Sequence, residues 1–190
     1  STIVYPVPTV TMSTPQTWYA GEAGTVSVSG TDLKNLTADW TVIQGDGGAE
    51  PYTAYTSGTL TKEGGTITFP EKGQYKLILT LTDPAGRTFI NSQSLTVYPI
   101  PSMSIGIPAL TYSGDAITVT ASGTELDGDT VDWFLSEDGG EAKPYTEYAA
   151  GSLDDSGGTL RISTDKTVSV KLRAVVTDGN GRKFTFDSNA

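Results

Sequence analysis

Apolar and polar residues alternate with a period of two in several short runs, each bounded by Gly, Pro, Asp or Asn. Val26 and Val28 mark one run, and Ala38, Trp40 and Val42 a second. Ile67 and Phe69 mark a third, and Tyr75, Leu77, Leu79 and Leu81 the longest. This period places each set on one face of a β-strand. No window of useful length carries the helical period together with helix caps, so almost no helix is expected. With a first strand near Thr9–Ser13 and a last near Arg87–Val97, the count reaches about seven strands in roughly 90 residues. That is the arithmetic of a two-sheet sandwich.

The pattern occurs twice. Asp39-Trp40 recurs as Asp132-Trp133, Pro51-Tyr52-Thr53-Ala54-Tyr55 as Pro144-Tyr145-Thr146-Glu147-Tyr148, and Gly64-Gly65-Thr66 as Gly157-Gly158-Thr159, all displaced by 93. Two extra residues in the second copy then shift the displacement to 95, so that Thr82-Asp83 and Gly86-Arg87 return as Thr177-Asp178 and Gly181-Arg182. A repeat of this length marks a duplicated domain. The expected division is residues 9–98 for the first sandwich, 99–101 for a linker and 102–190 for the second sandwich, truncated in its last strand. Residues 1–8, STIVYPVP, match residues 94–101, SLTVYPIP, and read as the end of a preceding repeat with its linker, in a fragment of a longer tandem array. Two prolines in the Tyr98-Pro99-Ile100-Pro101 joint predict restricted movement between modules and a semi-rigid rod.

Three segments carry a family resemblance. Val26-Ser27-Val28-Ser29-Gly30-Thr31-Asp32 is followed by Asp39-Trp40 leading to Gly45-Asp46-Gly47-Gly48, and then by the run from Gly73 through Tyr75, Leu77, Leu79, Leu81 and Asp83 to Gly86. The second copy keeps Asp132-Trp133, Asp138-Gly139-Gly140 and the stretch from Val170 to Gly181. Both copies resemble immunoglobulin-like domains of the polycystic-kidney-disease (PKD) type. The resemblance implies an all-β chain of two tandem PKD-like sandwiches. It further implies repeated extracellular spacers or adhesion modules of bacterial surface proteins and secreted enzymes.

Composition narrows the chemistry. The chain has 190 residues, no Cys and no His, which removes thiol nucleophiles, imidazole bases, disulfides and the usual zinc ligands. Twelve basic against 22 acidic residues give a net charge of −10, a field that repels phosphate backbones and argues against a nucleic-acid partner. No run approaches the roughly 20 apolar residues of a membrane span. Serines have no base-bearing partner and no G-x-S-x-G elbow, and sandwiches of this size rarely form the cleft that paired carboxylates need. A non-catalytic protein is expected.

Trp40 and Trp133 fall at inward positions of their runs and are expected in the core with Leu77, Leu79 and Leu172. Lys76 and Lys171 point the opposite way, towards solvent, which argues against a self-made Lys–Asn crosslink. The Tyr52/Tyr55 and Tyr145/Tyr148 pairs offer rings for carbohydrate or peptide, against a structural role in tying down a long connection. Trp18 has Thr111 as its counterpart and, being unrepeated, is the aromatic expected to be exposed. Asp127, Asp129 and Asp132 form an acidic cluster that could hold calcium, although Asp is also a turn former. The expected role is a monomeric spacer, stalk or adhesion module at a bacterial cell surface or outside the cell, partnered by neighbouring repeats. The alternative is a module binding polysaccharide or host glycoprotein through Trp18, Tyr52, Tyr55, Tyr145 and Tyr148.

Overall fold

The computed structural model describes residues 2–189. They form two compact units, divided between Ile100 and Pro101, each with its own core. The first unit contains β1 (Thr9–Ser13), β2 (Trp18–Tyr19), β3 (Ala23–Thr31), β4 (Thr37–Gln44), β5 (Glu50–Pro51), β6 (Ser57–Thr61), β7 (Gly64–Thr68), β8 (Gly73–Thr82) and β9 (Thr88–Tyr98). One sheet has the order β1-β3-β7-β6 and the other β2-β9-β8-β4-β5. The second unit contains β10 (Ser102–Gly106), β11 (Ala116–Thr124), β12 (Thr130–Glu137), β13 (Lys143–Pro144), β14 (Ala149–Asp154), β15 (Gly157–Ile162), β16 (Val170–Thr177) and β17 (Lys183–Asp187). Its sheets are ordered β10-β11-β15-β14 and β13-β12-β16-β17.

Among the described residues each unit therefore has seven strands of five residues or more, supplemented by two-residue edge strands. The only helical pieces among the described residues are two three-residue 3₁₀ turns, Tyr52–Ala54 and Tyr145–Glu147. No helix among them is long and apolar enough to cross a membrane.

The alternation becomes burial. Along β8, Tyr75, Leu77, Leu79 and Leu81 are buried while Lys76 is exposed; along β16, Leu172, Ala174 and Val176 are buried while Lys171 is exposed. Trp40 and Trp133 lie in the cores with Leu77, Leu79 and Leu172. Each fully buried Leu or Val stabilises its unit by about 1.5–3 kcal/mol relative to an exposed one, so the inward rows dominate cohesion.

Two repeated devices shape the sheets. Gly64 and Gly157 take φ of +99° and +103° where β7 and β15 enter their sheets. A Cβ there would run into the Val26 or Val119 carbonyl on the neighbouring strand, so the Gly-Gly pair permits close backbone approach. The turn before each closing strand is built on an aspartate. The Asp83 carboxylate accepts hydrogen bonds from the Ala85 and Arg87 amides, both 2.9 Å, and from Arg87 Nε at 2.7 Å. Asp178 accepts from the Asn180 and Arg182 amides, again at 2.9 Å. Burial pushes the Asp83 carboxyl up, but those three donors and the Arg87 charge outweigh it and hold the carboxyl below its ordinary value.

Replacing Gly64 or Gly157 by Ala is expected to destabilise the altered unit by about 2 kcal/mol or more, through a left-handed residue and a backbone clash together. Chemical denaturation reads this as a lower midpoint. An unchanged midpoint would contradict the close-approach role.

Candidate functional site

Trp18 corrects the sequence reading: it is 3% exposed, inside the first core. β2 pairs in parallel with the end of β9, Trp18 opposite Val97, which draws the indole inward. Its ring meets Phe69 edge-on at a centroid distance of 5.2 Å, and Nε1 donates to the Glu22 carbonyl at 3.1 Å. Space comes from Gly24, where a Cβ would collide with the indole. The counterparts of Trp18 and Gly24 at the 93 displacement are Thr111 and Ile117. One large and one small residue thus exchange places between the copies. That reciprocal change was the available signal that Trp18 is a packing residue.

The repeated tyrosines lie on the 3₁₀ turns and are half-buried. Tyr52 packs on the first core, and its hydroxyl accepts a hydrogen bond from the Leu60 amide at 3.3 Å. Tyr55 packs against Tyr75 at a centroid distance of 6.3 Å. In the second unit Tyr145 and Tyr148 pack on the core, and the Tyr145 hydroxyl donates to the Gly151 carbonyl at 3.5 Å. These rings fasten the connection between the sheets, with part of each face left at the surface.

The acidic residues do not gather as a calcium site would require. Among the described residues no three His, Cys, Asp or Glu side chains are placed to hold a metal ion. Asp132 is exposed on β12 opposite Val175, whereas Asp127 and Asp129 lie in the turn preceding that strand. Burial, then the negative charges of Asp178 and Asp127, push the Asp129 carboxyl above its ordinary value. Other acids secure turns: Asp154 accepts from the Ser156 amide and hydroxyl at 2.8 and 2.7 Å, and Asp138 from the Ser169 amide at 2.8 Å.

A charge cluster lies at Asp187 on β17, bonded to Arg173 Nε at 2.7 Å and Lys171 Nζ at 2.8 Å on β16. Hydrogen bonds from Arg173 and then Lys171 hold the Asp187 carboxyl at about 2. The corresponding first-copy residues are Ser92, Ile78 and Lys76, so the cluster belongs to one unit alone.

An open groove of about 440 Å³ also marks the first unit, with Pro15, Gln16, Gln74, Gln93, Thr96 and Tyr98 among its walls. Thr96 donates its hydroxyl hydrogen to Gln74 Oε1 at 2.9 Å across this surface. Amide side chains beside a tyrosine ring can recognise hydroxylated ligands. Sequence reasoning missed the groove because its walls come from segments far apart in the chain.

Neither a protein-family model nor a curated protein matches this sequence. Among solved structures, it is similar to a marsupial T cell receptor, with a TM-score of 0.50 and 14% identity over 96% of this chain and 71% of that one. The fold is immunoglobulin-like. A second alignment is with the Bacteroides ovatus mixed-linkage glucan utilization locus protein SGBP-B, solved in complex with a mixed-linkage heptasaccharide. Its TM-score is 0.35 at 14% identity, over 98% of this chain and 48% of that one. The extracellular domain of protocadherin GammaB4 aligns with a TM-score of 0.37 at 12% identity, over 96% of this chain and 32% of that one.

Two outcomes check these assignments. Gly24→Ile alone is expected to destabilise the first unit strongly, whereas Gly24→Ile with Trp18→Thr, the pair present in the second unit, recovers much of the loss. Additive effects in a double-mutant cycle would refute the size exchange. For Asp187, a folded value of about 2 against 3.8 unfolded means that the pairing stabilises at pH above 3.8 and is lost as pH falls through about 2. Melting curves of the wild type and Asp187→Asn should therefore differ most near neutrality and converge at about pH 2. A constant difference across that range would exclude the ion-pair origin.

Proposed function

We propose that the chain is a non-catalytic module of the adhesion or spacer kind, a tandem pair of PKD-like sandwiches in a bacterial extracellular or cell-surface protein. One observation carries this reading: the features that the two copies share are framework features. The indoles of Trp40 and Trp133 donate to the Thr61 and Asp154 carbonyls at 2.9 and 3.0 Å. The glycine pairs and the aspartate turns likewise serve the fold. Apart from Lys76 and Lys171 and the part-exposed tyrosine pairs, outward-facing charge differs between the copies: 8 acids and 5 bases precede Pro99, and 14 acids and 7 bases follow it. Selection for length and cohesion explains a framework used twice under unrelated surfaces. A duplicated binding or catalytic site would repeat its surface residues.

The groove beside Tyr98 favours a second reading, a carbohydrate-binding accessory module. Its amide-rich wall suits sugar hydroxyls, and the half-buried Tyr98 ring offers a stacking face. Affinity-gel electrophoresis against a panel of polysaccharides separates the two. The spacer reading expects no retardation with any of them. Retardation abolished by Tyr98→Ala and Gln93→Ala would replace it with the binding module.

A further inference from the structure

In each unit one sheet ends in a strand with an unpaired side. Among the described residues β6 pairs with β7 alone, and β14 with β15 alone. A bare strand edge is a template on which another chain can add a strand, and proteins ordinarily block it with proline, charge or brevity. The facing sheets are blocked in this way: their edge strands β5 and β13 are two residues long and end on Pro51 and Pro144. β6 and β14 have five and six residues and no proline, and the one charged residue in them is Asp154, at the end of β14.

A tyrosine hydroxyl stands on each of these edges. Leu60 lies opposite Gly65 in the ladder, yet its amide donates to the Tyr52 hydroxyl at 3.3 Å, so that amide is turned away from β7. In the second unit the Tyr145 hydroxyl donates to the Gly151 carbonyl at 3.5 Å. Gly151 is the counterpart of Gly58, two residues before Leu60. The same hydroxyl position therefore meets a donor of the edge in one copy and an acceptor in the other, and a phenol can serve both. A residue of an added strand would bring its carbonyl and amide to these same groups. The rings are held in place: both pack on their cores, and the Tyr52 carbonyl accepts from the Thr56 amide and hydroxyl at 3.0 and 2.9 Å.

We propose that the Tyr52 and Tyr145 hydroxyls guard the edges of β6 and β14, occupying backbone groups on which a second copy of this chain would otherwise add its own edge strand. Unguarded, these edges suit each other. Two β6 strands can meet antiparallel around a two-fold axis at Thr59, which sets Gly58 of one copy against Leu60 of the other. Thr59 and its counterpart Ser152 are exposed and uncharged, so neither brings a charge to oppose the contact. The repeated Pro-Tyr dipeptide thus closes an edge of both sheets in each unit, the proline on β5 or β13 and the tyrosine on β6 or β14. Such a guard serves a spacer and a binding module alike, since either has to remain a separate molecule.

Sedimentation velocity over a concentration series tests the guard in the 190-residue protein. The wild type should stay monomeric. Tyr52→Phe with Tyr145→Phe, which keeps both rings and removes both hydroxyls, should gain mass with concentration. Adding Thr59→Lys and Ser152→Lys should return that variant to monomer, because paired edges would set like charges opposite each other; association through an opened core would persist. Hydrogen exchange gives a second reading in dilute solution. In Tyr52→Phe the Leu60 amide should exchange about tenfold faster, the scale of one lost hydrogen bond, while the Trp40 indole bonded to Thr61 keeps its wild-type rate. A self-associating wild type, a phenylalanine variant monomeric throughout, association indifferent to the lysines, or a Leu60 amide that is unchanged or accelerates only together with the Trp40 indole would overturn the proposal.

Discussion

The Trp40 indole leaves β4 in one sheet and donates its hydrogen at 2.9 Å to the Thr61 carbonyl on β6 in the other; Trp133 makes the same reach from β12 to Asp154 on β14 at 3.0 Å. A sandwich has to bury its inner faces without stranding polar groups, and a ring that spans the layers meets both demands. The indole supplies large apolar area, and its one donor is satisfied by backbone. Among the described residues no buried side-chain nitrogen or oxygen lacks a partner. The rest of each unit is arranged around that crossing: leucine rows from β8 or β16 beside the ring, and a tyrosine-bearing 3₁₀ turn fastened to the same core.

Within this shared frame, local size and charge are free to differ as long as each change is answered nearby. Trp18 packs over Gly24 in the first sandwich, whereas in the second the large residue of the pair is the buried Ile117 and Thr111 is exposed. Close packing leaves no room for both large residues at once. The Asp187 cluster shows the corresponding freedom on the surface, since its first-unit equivalents are Ser92 and Ile78. An exposed ion pair contributes little to stability, so its presence in one copy disturbs nothing in the other. Common interior and divergent exterior are what a structural repeat leads one to expect.

Much of this was legible in the chain because alternation and displacement are local or periodic signals. The inward rows of β8 and β16, the first strand at Thr9–Ser13 and the core place of both central tryptophans follow from spacing alone. The site was less legible. Being unrepeated made Trp18 look like a surface residue, yet it is buried by a parallel pairing with Val97, a residue far along the chain. Aspartates close in sequence suggested a cation site, yet among the described residues no three such side chains are placed to hold a metal ion. The strand β6, inside what reads as a long connection, was hidden because Ser57-Gly58-Thr59-Leu60-Thr61 holds one apolar side chain and needs β7 to define it.

By itself, then, the sequence determined the strand content, the duplication and which face of each long strand turns inward, since each depends only on residue order. Tertiary structure decided which aromatic is buried, whether nearby acids meet and which strand edge has a neighbour. Those outcomes depend on distant segments competing for the same space and the same backbone hydrogen bonds, and no local pattern records who wins.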